Sequence, residues 1–428
     1  MRKILTSLAV TFGATVFCGA LQANFTLFDM AKDAMYITRG EFVGLQRTAT
    51  GDRLTVRCNE MIKGELALGT EVTLEAFEPA AADAALGREV IVAFNLVNGK
   101  HYFLHHPFSQ RGAFYFETDD SAPNGLDQSE QSLRNFIAIN QPHQEEILGE
   151  LRKRLQQQDA GYEGVFNAAL TNEWKAELLR QVPLSGTWAA FDAAKALVDH
   201  DLFKGTLTVA DLQVIGNALP ASETGSLARA YMLEAIRNEV SAHPSHEVQM
   251  QMLRAETSQA CVGKLSNLLL QYEVRAQLMT ELGQMINDGA ATVQQRCNAL
   301  QTIEALKDAG GLPHVHGAIL AEMGRGEDAS KPVLRRAFQA LRAIPSETSV
   351  EPLEAFIASD LCKNSWELTQ WAWVAMSKVD SEYTNQQVRD QFSQATNPRN
   401  RKFFEALMPG SNGNGKLHRD LLIIHPEE

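Results

Sequence analysis

The chain has 428 residues, with 52 acidic against 39 basic side chains and a formal charge of -13. An acidic chain of this kind, with no basic run carrying interleaved aromatics, repels a phosphate backbone, which excludes nucleic acid as a partner. Its length exceeds the usual ~150 residues of one domain, so two or more are expected.

Residues 1–23 read as an export signal. Arg2 and Lys3 supply the positive start, residues 4–17 an apolar run, and Leu21-Gln22-Ala23 a small residue before a cleavage point. That run is short of the ~20 apolar residues needed to span a bilayer, and no later segment is apolar enough for an integral membrane span. Processing as a lipoprotein at Cys18 is disfavoured by bulky Phe17 in the preceding position. The expected product is exported, periplasmic or secreted, and starts at Asn24.

Residues 24–117 read as a small β-barrel domain. Leu54, Val56 and Cys58 alternate with Arg53, Thr55 and Arg57, and Val72, Leu74 and Ala76 alternate with Thr73 and Glu75. Such alternation marks half-buried strands. Residues 90–97 form a nearly continuous apolar run, followed by the hairpin signal Asn98-Gly99 and a further strand at 101–104. With an opening strand over 35–45, about five strands are predicted, the scale of an OB-like barrel.

This region resembles the netrin-like or metalloproteinase-inhibitor-like group of OB barrels. The likeness rests on Gly40 and Gly44 in the opening strand, Ile62-Lys63-Gly64 ending the second, Gly69 with Val72, and Gly87 before the apolar strand. The resemblance implies a barrel. It also raises inhibition of a protease as an alternative function, but inhibitory members of the group chelate the target's metal through an amino-terminal cysteine. Here the expected start is Asn24-Phe25-Thr26, so that chemistry is not carried over.

Residues 118–127, rich in acidic, Pro, Gly and Ser side chains, read as a linker. From 128 to 408 the period is helical. Val293, Cys297, Leu300 and Ile303 share a helix face. Leu334, Phe338, Leu341 and Ile344 repeat that spacing, and Thr369, Trp373, Met376 and Val379 repeat it again. Partner helices carry Leu312, Val315, His316 and Ile319, then Leu353, Phe356 and Ile357, the latter entered by Thr348 and Glu351 in capping-box positions. Amphipathic segments at 261–270 and 274–286 precede them. Helix pairs recurring every ~35–45 residues resemble HEAT-like repeats, which stack into an α-solenoid. The fold class is therefore β followed by all-α.

Candidate chemistry is sparse. Cys58, Cys261, Cys297 and Cys362 are scattered without CxxC pairing and read as small buried hydrophobes rather than disulfides. His314 and His316 point about 200° apart on a helix, and His101, His105 and His106 lack a spaced carboxylate or cysteine, so no metal site is expected. His246-Glu247 lacks the second histidine of a zinc peptidase.

Residues 409–428 form a Gly/Asn linker and an apolar tail. The "GSNGNGK" at 410–416 fits part of a phosphate loop, and 418–421 spell HRDL. Leu417 stands where Ser or Thr is needed, no strand feeds the loop, and the kinase pattern is incomplete. Residues 421–424 read as an apolar segment that docks on this same protein. No cofactor and no catalytic residue is identified.

Among the tryptophans, Trp366 and Trp373 lie on the core stripe, whereas Trp371 lies off it and is the candidate partner-binding residue. The leading reading is an exported, non-enzymatic protein-binding or scaffold protein of the cell envelope, holding a protein or peptide on its helical repeats. A protease inhibitor or an envelope hydrolase is the alternative.

Overall fold

The structure is a computed structural model that describes residues 26–48, 51–76, 86–103, 114–116, 125–157, 165–272 and 274–409. The export signal at 1–23, most of the linker at 118–124, His105, His106 and the tail from 410 onward, including its phosphate-loop and HRDL strings, lie outside the described residues. Two compact units are present, one ending at His243 and one starting at Pro244.

The described part of the first unit starts with a short helix, α1 (Leu27–Asp33), which the sequence reading did not anticipate. Thr26 and Asp29 form a reciprocal capping box at its start. The barrel follows: β1 (Tyr36–Thr48), β2 (Gly51–Lys63), β3 (Glu71–Ala76), β4 (Glu89–Val97), β5 (Lys100–Phe103) and a short β6 (Phe114–Phe116). The order β1-β2-β3-β5-β4 closes through a β1–β4 pairing, with β3 and β5 parallel and the other pairs antiparallel. This is a closed five-stranded barrel of OB-like order, to which β6 adds along β4.

The alternation seen in the sequence sets the two faces. Leu54, Val56, Cys58, Val72 and Leu74 point into a core completed by Phe42, Val90, Val92, Phe94 and Phe103. On the outer face Arg53 pairs with Glu75 and Arg57 with Glu71, directly across the β2–β3 ladder. β1 serves two neighbours by bending at three register shifts. Gly40 sits at one of them, where any Cβ would overlap the Arg57 carbonyl oxygen. Asn98 and Gly99 both have positive φ, as a two-residue hairpin turn requires.

Among the described residues six helices complete this unit: α2 (Gly125–Asn140), α3 (Gln144–Gln157), α4 (Ala168–Gln181), α5 (Trp188–Asp199), α6 (Val209–Ala218) and α7 (Leu227–Ile236). α2 begins at Gly125, so the last residues of the expected linker are its first turn. α1 packs between α2 and α5. Arg39 of β1 ties the barrel to α2: its guanidinium meets Glu89 at 2.9 Å, Asp127 at 2.6 Å and Glu130 at 3.1 Å.

The described residues of the second unit form helices and the turns that join them. It comprises α8 (His246–Ala255), α9 (Gln259–Leu269), α10 (Arg275–Asn287), α11 (Val293–Leu306), α12 (Leu312–Gly324), α13 (Lys331–Ala343), α14 (Val350–Ala358), α15 (Asp360–Lys363), α16 (Trp366–Val379), α17 (Glu382–Gln394) and α18 (Pro398–Leu407). The three helices that repeat in the sequence, α11, α13 and α16, stack side by side, with α9 on the far side of α11. Their partners α10, α12 and α14 form a second layer. The repeat is visible in single contacts: Ser266 and Thr302, 36 residues apart, share a 2.9 Å hydroxyl–hydroxyl hydrogen bond between α9 and α11.

One local expectation is corrected. Thr348 does not cap α14. A 3-10 turn, Glu347–Ser349, leads into that helix, and Ser346 caps the turn by accepting from the Thr348 N–H. Three capping-competent residues, Ser346, Thr348 and Ser349, within four positions let the chain choose an earlier start. Among the described residues no helix is long and apolar enough to cross a membrane.

Candidate binding groove

The layer formed by α9, α11, α13 and α16 carries an open groove of ≈ 790 Å³. Its charged lining is Glu304 and Lys307 from α11 and the residue after it, Arg336 and Arg342 from α13, and Lys378 from α16. Gln301, Gly263, Ala305, Ala343 and Val374 supply small or apolar surface between them. Among the described residues four cations thus face one carboxylate in a chain that is acidic overall.

Local structure explains the placement. Lys307 follows the last residue of α11 and adopts the left-handed conformation that ends the helix. Arg342 and Lys378 each lie one residue before the end of their helices. Cations there offset the negative end of the helix dipole. That alone does not require three of them to meet in one groove; the stacking of α11, α13 and α16 does.

α13 is the electrostatic centre. Its charged side chains are Lys331, Arg335, Arg336 and Arg342, with no carboxylate among them. Arg335 is engaged by Glu367 of α16 at 3.5 Å. Arg336 donates to its neighbour Gln339 at 2.9 Å and stands 3.9 Å from the Glu304 carboxylate. Burial pushes the Glu304 carboxyl up, with Arg336 and Arg342 pulling against it. Neither Arg342 nor Lys307 has a carboxylate partner at ion-pair distance among the described residues.

Trp371 adjoins Arg342 of the groove lining. It is half-buried, and the Arg342 guanidinium lies over its ring, 5.8 Å from the centroid. Of the other two tryptophans of α16, Trp373 is buried edge-on to Phe404, and Trp366, half-buried like Trp371, meets Phe403 edge-on. The cations themselves were not singled out from sequence. The available signal was α13, a helix whose every charge is positive within an acidic chain.

The remaining candidates fall into packing roles. His314 lies against Gly283 of α10, whose missing side chain makes room for the imidazole. His316 shares a 2.9 Å hydrogen bond with Ser349, and burial lowers its pKa. His101 packs edge-on to Phe94 and Tyr36 in the barrel. His246 bonds Glu281 at 2.8 Å and stacks on Tyr272. Among the described residues no three His, Cys, Asp or Glu side chains converge to hold a metal ion. Cys58, Cys261 and Cys362 are buried free thiols, and Cys297 is a half-buried one. Burial raises the Cys297 thiol pKa despite the nearby arginines, so it is not an activated nucleophile.

A buried charge cluster elsewhere in this unit is structural. Glu322 of α12 is fully buried, 2.5 Å from Arg296 of α11, and accepts from the Ser330 N–H at 2.6 Å. Arg296 also donates to the Ile286 carbonyl at 3.0 Å. This pair bolts three helices together and faces no solvent.

Comparison of the chain with protein-family models, with curated proteins and with solved structures returns no match.

Proposed function

We propose that this chain is an exported scaffold protein of the cell envelope whose helical array binds an acidic segment of a partner protein in the α9–α11–α13–α16 groove. The export part rests on the pattern of residues 1–23. The binding part is carried by one observation: four cations line one open groove of a chain of formal charge -13, and one of them, Arg342, lies over the half-exposed ring of Trp371. Charge clustering against the overall balance costs self-repulsion, and a complementary anionic partner removes that cost. The finer identities, a netrin-like barrel joined to a HEAT-like array, are supported by the OB-like strand order and by the ~36-residue offset between stacked helices. In such arrays the extended surface is the usual binding face.

The test is fluorescence anisotropy of a labelled acidic decapeptide with the full-length protein, against a version with every Glu changed to Gln. The acidic peptide should bind about tenfold tighter, since two half-exposed charge contacts contribute ~1–1.5 kcal/mol together. The double variant Arg336→Ala/Arg342→Ala should remove that advantage, and raising the salt from low to physiological strength should shrink it. Equal binding of both peptides, or an unaffected double variant, would refute the proposal.

A further inference from the structure

We infer that the groove takes an acidic segment in the polyproline II conformation, with a carboxylate at every third residue. The inference rests on the reading of the groove as a site for an acidic segment and names the ligand's geometry. Its basis is the way the cations are spaced. Lys307, Arg342 and Lys378 come one from each of three consecutive stacked helices, each at the carboxyl end, and all line the same groove. Arg335 meets Glu367, and further along both helices Arg342 meets Trp371, so α13 and α16 run in the same direction.

Neighbouring packed helices lie ~8–10 Å apart, which sets the step of this ladder of cations. A polyproline II segment rises ~3.1 Å per residue with three residues per turn. Positions i, i+3 and i+6 therefore share one face at intervals of ~9.3 Å, which matches that step. An extended β-strand puts i and i+3 on opposite faces. A helical guest places i and i+4 only ~6 Å apart and i and i+7 ~10.5 Å apart, one spacing short of the step and the other beyond it.

Two further features fit the same guest. Trp371, flanked by Arg342, offers a flat half-exposed ring of the kind on which proline-rich segments dock between their polar contacts. Glu304 already presents one carboxylate to Arg336 at 3.9 Å, so it stands in for the ligand and competes with it.

The experiment compares decapeptides of one composition, three Glu among prolines and glycines, binding to the full-length protein by anisotropy. In one the Glu residues are three apart, in a second contiguous, and in a third they alternate with other residues. A fourth, longer peptide places them seven apart in a helix-forming sequence. The three-apart peptide should bind about tenfold tighter than the others. Trp371→Ala should weaken it severalfold, and Glu304→Gln should tighten it about threefold, a gain that misfolding cannot imitate. Equal affinity for all spacings overturns the inference while leaving the acidic-segment reading standing. A preference for the seven-apart peptide overturns it in favour of a helical guest. Tighter binding of a single-stranded oligonucleotide, or no binding of any acidic peptide, overturns both.

Discussion

Lys63 shows how a residue at a turn, singled out from sequence only as part of a Lys-Gly pair, acquires a physical role. It ends β2, and its ammonium donates to the Ala31 carbonyl of α1 at 2.8 Å. Burial pushes its pKa down to about 8, with Asp33 pulling the other way. The unfolded value is ~10.4, so between about pH 8 and 10.4 the unfolded chain binds more protons than the folded one. Stability from this group therefore rises with pH through that window. Below about pH 8 both states are charged, and the cost of burying the ammonium is present in full. Replacing Lys63 with Met removes the titration. The stability difference between the native chain and the Lys63→Met variant should move in favour of the native chain by on the order of 2 kcal/mol between pH 7.5 and 10.5, the partial exposure of the side chain included. Urea titrations at the two pH values check this; a difference that does not change with pH contradicts it. Trp371 marks the other limit at this scale. Its departure from the core stripe was legible as a period mismatch, but its Arg342 partner was not, because 29 positions of chain separate the two and only stacking joins them.

At the scale of elements, those legible in sequence were the ones whose pattern repeats. Strands β2 and β3 declare themselves through alternation, the β4–β5 hairpin through Asn98-Gly99, and α11, α13 and α16 through a recurring stripe of Leu, Ile, Phe and Met. α1 declared nothing. Seven residues are too few to establish a period, and so short a helix is stable only through its tertiary contacts. Those contacts are dense. Phe28 is 1% exposed and meets Phe136, Trp174, His200 and Phe203 with ring centroids 5.0–5.7 Å apart, each in an edge-to-face arrangement. The Leu27 N–H donates to buried Asp192 of α5 at 3.1 Å, and Asn140 of α2 donates to the Ala31 carbonyl at 3.2 Å while accepting from the Trp174 indole at 2.7 Å. Desolvation would raise the Asp29 carboxyl, yet His200 and Lys32 hold it below the usual range. Phe28→Ala should therefore cost about 3–5 kcal/mol, the range for emptying an aromatic site in a close-packed core. The measurement is the denaturant midpoint of the first unit. A loss under 1 kcal/mol would mean that α1 is an accessory and not a keystone.

For the whole molecule, the change in side-chain rhythm and the division into compact units fall at different places. The rhythm switches from strand to helix near residue 120, whereas the compact units divide between His243 and Pro244. The reason lies in contacts that sequence order hides. α1, which precedes the barrel, docks between α2 and α5, which follow it, and Arg39 of β1 holds the first turns of α2. Barrel and early helices thereby belong to one compact unit, while α8 to α18 build a core of their own from Leu300, Ile303, Phe338, Leu341, Phe356 and their neighbours. A unit with its own core folds by itself. The segment 244–428 produced alone should show a helical circular-dichroism spectrum with cooperative melting. It should also bind the three-apart acidic peptide within about threefold of the full chain, because Lys307, Arg336, Arg342, Trp371 and Lys378 all belong to it. The complementary segment 24–243 should fold and fail to bind. If 244–428 melts without cooperativity, the unit boundary is misplaced. If it folds but loses more than tenfold in affinity, the groove is incomplete without residues from the first unit, and the site must be redrawn to include them.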